Sequence, residues 1–430
     1  MKAALVTACL SHLPFHPGIF LGYGTSILAS RYDLEVIDLN AECYQKCRRE
    51  LENALASIDE GDFVSDWTLA PLYHEMDSCI GETYSAVSWE EYEVVYITSP
   101  SWFPTVPAEA ILRLAGAVRR ASSGTQLLFF GNSAGSWTDE KVLRENGVGV
   151  VHLNDLFTVN ASPHPVRYDE LPTPQYSNRD RYLFDLLPFT LKHGCPWGKC
   201  RFCSLSKGGN AGYHERSAAA AAEELERLVD LHDSAFLVCR DLSLNGNNLM
   251  DFCGRISRLN KTWCGQCRAD LSPIQIEALA KAGCRGIYFG AESGSDRTLG
   301  VMNKGITAKG MSDFIKRLDG SGVLPAPSFV VGCPGEGTAD FDRTIGFLED
   351  HREYLEVVNV YPFMTTPGSE FGSLKKRPNP LVLSRLFRFI KACEELGLKV
   401  CLGEQSMEYC LLKLIDRRYR GKGVIGEVSC

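Results

Sequence analysis

The sequence predicts an α/β protein in three parts. A Rossmann-like, doubly wound sheet is expected over residues 1–165. After a linker at 166–185 comes a partial (β/α)6 barrel of the TIM type over 186–375, and a small helical C-terminal region over 376–430. Three observations carry this. Short continuous apolar runs alternate with amphipathic stretches from Lys2 onward, the pattern of strands buried on both faces of a parallel sheet. The alternation breaks at "ASPHPVRYDELPTPQYSNRDRY", where four prolines fall in 22 residues without periodicity. Beyond that break six more apolar runs recur, each of the first five followed by a helical pattern.

Taken in order, "AALVTA" reads as the first strand, residues 18–30 as a helix and "DLEVIDLN" as the second strand. "EVVYITSPS" is the third, followed by the helix "PAEAILRLAGAVRRA"; "TQLLFFGN" is the fourth and "GVGVVHLN" the fifth. Residues 41–90 are polar and are assigned helices joined by loops. Barrel strands are expected at 189–192, 235–239, 262–268, 286–290, 328–331 and 357–361, with helices such as "SAAAAAEELERLVDLH" between them. Such units gather their chemistry at the C-terminal strand ends. The last 50 residues, led by "LVLSRLFRFIKACEELG", are expected to be helical and to cap the barrel.

Composition narrows the function classes. Of 430 residues, 45% are hydrophobic and 23% charged, ordinary values for a globular protein. A net charge of −8 argues against a nucleic-acid partner. No stretch approaches the ~18 apolar residues of a membrane span, and the opening apolar run is too short for a signal peptide. Seventeen cysteines without a secretion signal suit thiols kept reduced in the cytoplasm, as buried hydrophobes or metal ligands.

One loop concentrates them. "HGCPWGKCRFCSL" places Cys195, Cys200 and Cys203 in the spacing C-x-x-x-x-C-x-x-C, just after the first barrel strand. A structural zinc site wants four ligands, and the fourth would have to come from Cys264, Cys267 or His193. Three thiolates suit a 4Fe–4S cluster with one open iron, free to bind a substrate or cofactor. "WCGQC" at 263–267 mimics a redox pair but reads as a strand, where positions three apart face opposite ways. On that strand Arg268 shares a face with Cys264 and Gln266. It is a candidate for an inward residue facing substrate or cofactor, or for a salt-bridged rim charge.

The cysteine loop resembles the cluster motif of radical S-adenosylmethionine (SAM) enzymes. It carries one residue more than the family's C-x-x-x-C-x-x-C, which Pro196-Trp197-Gly198 is expected to absorb in a turn with glycine at positive φ. The resemblance implies that Cys195, Cys200 and Cys203 hold the cluster, that SAM chelates the open iron, and that its cleavage yields a 5′-deoxyadenosyl radical. It also implies roles for other residues over about 186–372. Phe202 matches an aromatic position near the adenine. Asp241, in "VCRDLSLNGN", matches an acidic residue that accepts from the SAM amino group. Glu292 and Ser293, in "GIYFGAESGSD", fall where the family contacts ribose and methionyl groups. Gly332, in "FVVGCPGEG", lies in a segment beside the adenine, and Lys304, in "MNKGIT", fits the same pattern. Singly, each has a plainer reading: a loop cap for Asp241, a neighbour of a helix N-cap for Glu292, a turn for 332–335. Their shared place at strand C-termini favours the functional one.

The first part resembles the N-terminal cobalamin-binding domain of a large radical SAM subgroup. The implied ligand would lie at the C-terminal strand ends, against Ser99 in "TSPSWFPTVP" and Gly131 and Asn132 in "GNSAGS". The D-x-H-x-x-G motif that supplies a cobalt-ligating histidine elsewhere is absent, which implies cobalt without a histidine ligand from that motif; His12 and His16 are the remaining alternative. A sheet without ligand is the plainer alternative. The implied activity is cobalamin-dependent methylation of an unactivated carbon, with a small-molecule or peptide substrate and a reductase or flavodoxin/ferredoxin electron donor. Relatives with the same parts perform ring contraction or transfer another SAM-derived group. A methylthiotransferase would hold a second cluster on Cys9, Cys43 or Cys47, and Cys79, but Cys43, Cys47 and Cys79 fall in a polar, helical region. A non-enzymatic iron–sulfur or zinc protein is the remaining class.

Overall fold

The computed structural model describes residues 1–9, 13–98, 108–131, 140–152, 168–177, 179–203, 213–234, 236–241, 243–365, 369–373 and 380–419. Its strands form two parallel sheets and one short hairpin. The first sheet contains β1 (Lys2–Thr7), β2 (Asp33–Asp38), β4 (Val94–Thr98), β5 (Gln126–Gly131) and β6 (Gly149–His152). Their order is β2-β1-β4-β5-β6, every pair parallel. Successive residues of β1 feed two cores. Ala4 and Val6 face one core, with Leu114 and Ile80, and Ala3 and Leu5 face the helix Ile19–Leu28. Strand order reverses between β1 and β4, the switch point at which open α/β sheets form a ligand crevice.

The second sheet has the order β3-β15-β14-β13-β12-β11-β10-β7, again all parallel. Its six expected barrel strands are β7 (Leu186–Phe189), β10 (Phe236–Cys239), β11 (Thr262–Arg268), β12 (Cys284–Glu292), β13 (Leu324–Val331) and β14 (Val357–Pro362). The hairpin of β8 (Lys192–His193) and β9 (His214–Glu215) pins the two ends of the segment that carries the three cysteines.

Three expectations need correction. The first barrel strand ends at Phe189 instead of beginning there, because "LLPFTLK" is one apolar run with no internal period to set its limits. The C-terminal region is not purely helical: β15 (Lys399–Leu402) adds a seventh strand. Residues 41–90 are not helices and loops alone, since β3 (Phe63–Ser65) forms the outer edge of the barrel sheet, beside β15, across the boundary drawn near 165. Strands of three and four residues are too short to show alternation.

The helix Glu404–Tyr419 fills the interior that this open barrel leaves. Leu411 and Ile415 lie over Gly286 of β12, where any Cβ would collide with them. Trp263 and Cys267 point to the outer core and Cys264 to the inner one, so the two cysteines of "WCGQC" do face opposite ways.

Candidate functional site

The cysteine loop leaves the C-terminal end of β7 and docks on residues 301–305. Gly198 has φ +55°, and the additional residue is absorbed in that turn, as the sequence suggested. The Trp197 indole donates to the Asn303 carbonyl at 2.9 Å, while Asn303 Nδ2 donates to the Lys199 carbonyl at 2.9 Å. Arg201 N donates to the Met302 carbonyl, and the Cys203 amide closes a turn on the Cys200 carbonyl at 3.2 Å. The Arg201 side chain pairs with Glu370 at 2.7 Å. Cys200 is buried, with Cys195 and Cys203 partly exposed. Burial pushes the Cys200 thiol up to about 11, against the pull of Lys304; a coordinated metal reverses such an order by deprotonating the thiol outright. Among the described residues no three His, Cys, Asp or Glu side chains stand gathered as a metal site. The three thiols nonetheless share one short loop, pinned at both ends and lined by cations, a donor set that suits an anionic iron–thiolate cluster.

Around this loop the barrel ends bring several predicted residues together. Glu292 closes β12 after a register shift, with φ +63°. Its carboxylate takes a 2.6 Å bond from Lys304 Nζ, both side chains under 10% exposed. Lys304 lies 5.8 Å from the Phe202 ring centroid. Arg268 stacks over the Trp197 ring at 4.8 Å, pairs with Asp270 at 2.8 Å and donates to the Lys304 carbonyl. It is therefore both a salt-bridged residue and a wall of the cluster loop.

Two of the expected residues are engaged within the protein. Asp241 is buried and its carboxylate is already occupied, accepting from the Thr190 hydroxyl at 2.6 Å and from the Leu191 and Lys192 amides. It fixes the strand end from which the cysteine loop departs, with Oδ1 taking three of these bonds and Oδ2 one, from the Leu191 amide at 3.2 Å. Ser293 is wholly buried, its hydroxyl shared with Thr344 Oγ1 at 3.0 Å and the Ser295 amide, so it braces Glu292 against the helix Thr338–His351. Gly332, at φ +83°, donates its amide to Glu336, and Val382 fills the space where a Cβ would stand.

The crevice of the first sheet holds features that sequence reasoning missed. Thr7 and Thr98 are register partners at the C-terminal ends of β1 and β4. Both are buried, and among the described residues neither hydroxyl has a hydrogen-bond partner. A strand threonine gives no signal of this in sequence; only the switch-point topology marks it. Gly131 ends β5 beside them in the sheet. Ser99, Asn132 and His12 lie outside the described residues. The His16 side chain is 7% exposed: its Nδ1 lies 2.8 Å from the Pro17 carbonyl and its Nε2 3.5 Å from Glu408. Cys43 and Cys79 do lie on helices, but the fold draws the thiols into pairs. Cys9 Sγ is 2.6 Å from Cys43 Sγ, and Cys47 Sγ 3.6 Å from Cys79 Sγ.

Comparison with known proteins agrees with this geometry. Residues 190–348 match the family model of the Radical SAM superfamily. A protein described as an uncharacterized methyltransferase of Pyrococcus horikoshii is 24% identical over 431 aligned positions, covering 96% of this chain and 90% of that protein. TsrM of Kitasatospora setae, a radical S-adenosylmethionine methyltransferase solved with cobalamin and a [4Fe-4S] cluster, shares the fold with a TM-score of 0.57 at 15% identity, over 86% of this chain and 74% of that one. OxsB, a cobalamin-dependent S-adenosylmethionine radical enzyme, gives 0.59 at 13% identity over 97% of this chain, which spans 61% of OxsB. With its three-cysteine loop at the mouth of a parallel barrel, this chain carries a radical SAM domain over residues 190–348.

Proposed function

We propose that this chain is a cobalamin-dependent radical SAM enzyme that methylates an unactivated carbon of a small molecule or peptide. The observation that carries the cobalamin part is the pair of buried, unpartnered hydroxyls of Thr7 and Thr98 at the switch point. A buried polar group is rarely left unpaired, and a ligand with amide or phosphate oxygens would pair both. Thr7, Thr98, Ser99, Gly131 and Asn132 would line that site. Bound there, cobalamin supplies a transferable methyl group.

In the barrel, Cys195, Cys200 and Cys203 would hold a 4Fe–4S cluster, which supplies the electron for SAM cleavage. Lys304 and Arg268 bring positive charge beside the thiolates, and Trp197 and the 301–305 segment fix the loop. Phe202, Glu292 and Gly332 would border SAM, while Asp241 and Ser293 hold the backbone in place behind them. An external reductase, flavodoxin or ferredoxin would deliver the electron past the partly exposed Cys195 and Cys203.

Anaerobic reconstitution should give about four irons per chain and a reducible paramagnetic signal. Replacing Cys195, Cys200 or Cys203 by Ala should abolish both, together with SAM cleavage. Zinc as the only metal bound would sink the radical reading. With cobalamin supplied, the chain should bind about one equivalent, and Thr7→Val with Thr98→Val should weaken retention on gel filtration without lowering iron content. His16→Ala should leave the absorbance spectrum of the bound corrin unchanged, because that ring is already engaged by Pro17 and Glu408. Transfer of a labelled methyl from SAM to a candidate substrate, followed by mass spectrometry, tests the methylation itself.

A further inference from the structure

Inside the barrel lies a cavity of about 70 Å³, bounded by the C-terminal half of β10, the middle of β11, Tyr288 of β12 and residues 404–412 of the helix Glu404–Tyr419. Its walls are largely apolar, with Val238, Met407, Leu411 and Leu412 prominent. Gln266 lines it two residues before Arg268 on the same face of β11, the face on which Arg268 meets Trp197 of the cysteine loop.

Its charged groups do not balance. Arg240 donates to Glu408 Oε1 at 2.7 Å, with His16 Nε2 at 3.5 Å from the same oxygen. Glu404 stands one helical turn before Glu408, on the same helix face, and also lines the cavity. Unlike Glu408, it has no hydrogen bond or ion pair among the described residues. Asp241 also lines the cavity, but its carboxylate is engaged by Thr190 and by the Leu191 and Lys192 amides. Of the other two carboxyl groups only Glu408 pairs with the guanidinium, which leaves Glu404 to take a cation.

We propose that this cavity is the substrate's headgroup site, and that it takes a protonated primary amine on a small, otherwise apolar molecule, with Glu404 as the group that pairs with it. This rests on the proposed function, whose substrate class it specifies. Until an amine arrives, Glu404 stays uncharged. Burial pushes its carboxyl up to about 8, against the pull of Arg240 and reinforced by Glu408 and by Asp66, which caps the same helix through the Ser406 amide at 2.9 Å. Tyr288 and Tyr361 also face it, both held neutral by burial. Binding an ammonium at neutral pH therefore drives one proton off Glu404. The site selects on charge, while Met407 and Leu411 select on shape.

The test uses the full chain, purified anaerobically, without SAM or substrate, and calorimetric titration with benzylamine and with benzyl alcohol as its uncharged counterpart. Two buffers of different ionisation enthalpy report the protons released. The amine should bind at least about tenfold more tightly than the alcohol. Close to one proton should leave per amine at pH 6.5, and almost none at pH 9, where Glu404 is already ionised. Glu404→Gln should remove both the preference and the proton release, and Glu404→Asp should retain them. Matching circular dichroism and iron content show that these variants fold. Equal binding of amine and alcohol, or an unchanged preference in Glu404→Gln, would overturn the proposal. Tighter binding of the alcohol would do the same, marking Glu404 as a donor to a neutral acceptor. The assay involves neither SAM cleavage nor cobalamin, so failure here is distinct from failure of the proposed function.

Discussion

A glutamate at positive φ is uncommon, and Glu292 is held there by one buried lysine. Lys304→Met leaves that carboxylate buried without its partner and should cost about 3–5 kcal/mol in chemical denaturation. Burial works against the Lys304 charge, but Glu292 and the Cys200 thiol raise it above the ordinary 10.5. The contribution is therefore complete below pH 10.5 and fades as pH rises through the higher folded value. Glu404 has the opposite consequence for a carboxyl. Its folded value of about 8 lies above the ordinary 4.5, so the folded state holds a proton that the unfolded state has released. Wild-type stability should fall between pH 4.5 and 8, and Glu404→Gln should flatten that fall in melting curves at pH 6 and pH 9. The cluster cysteines were legible because their spacing is a local property. Glu404 was not, since its meaning depends on Arg240 arriving from elsewhere in the fold to pair with Glu408. For the same reason sequence could mark Asp241 and Ser293 as important but could not show them turned inward.

Among elements, the turn around Gly305 governs the cysteine loop. Gly305 has φ +74°, and a Cβ there would collide with the Trp197 ring. Gly305→Ala should lower stability by about 1–2 kcal/mol from backbone strain alone. It should also displace Trp197 from under Arg268, read out as faster loss of iron to a chelator than in wild type. The long strands were legible in sequence: apolar runs such as "VVYIT" or "LPAPSFVV" are buried on both faces and can be little else. Where an apolar run met a turn without a break, as at β7, its existence was readable and its limits were not. The short β3 and β15 owe their conformation to pairing with each other, at Val400↔Phe63, and no window of local sequence contains both.

For the molecule as a whole, the first sheet and the barrel are joined by a buried polar triad. The Tyr23 hydroxyl, on the helix Ile19–Leu28, donates to Glu224 at 2.6 Å, and Arg216 pairs with the same oxygen at 2.8 Å. Both charged side chains are at most 2% exposed. Glu224→Ala should cost about 3–5 kcal/mol by leaving the Arg216 charge unpaired. Tyr23→Phe should cost about 1–3 kcal/mol and should speed proteolytic separation of the two parts. Arg216 also receives the end of the cysteine-loop hairpin, its amide donating to the Leu191 carbonyl. The triad therefore ties the expected cobalamin side to the segment carrying the cluster ligands. Sequence gave the two parts and their order; it gave no sign of this joint, because none of its three residues is unusual in its own neighbourhood.

The placement of β3 has a consequence for how the chain is made. Its partner β15 is synthesised more than three hundred residues later, on the order of tens of seconds at ribosomal rates. During that interval the first sheet can close, since β1, β2, β4, β5 and β6 are all complete by residue 152. The segment 63–65 must wait, exposed, with a strand edge unpaired. The last of the described strands is thus the one that completes the barrel's edge, and a chain halted before residue 399 should be recovered bound to chaperones or aggregated, its first sheet folded and its barrel open.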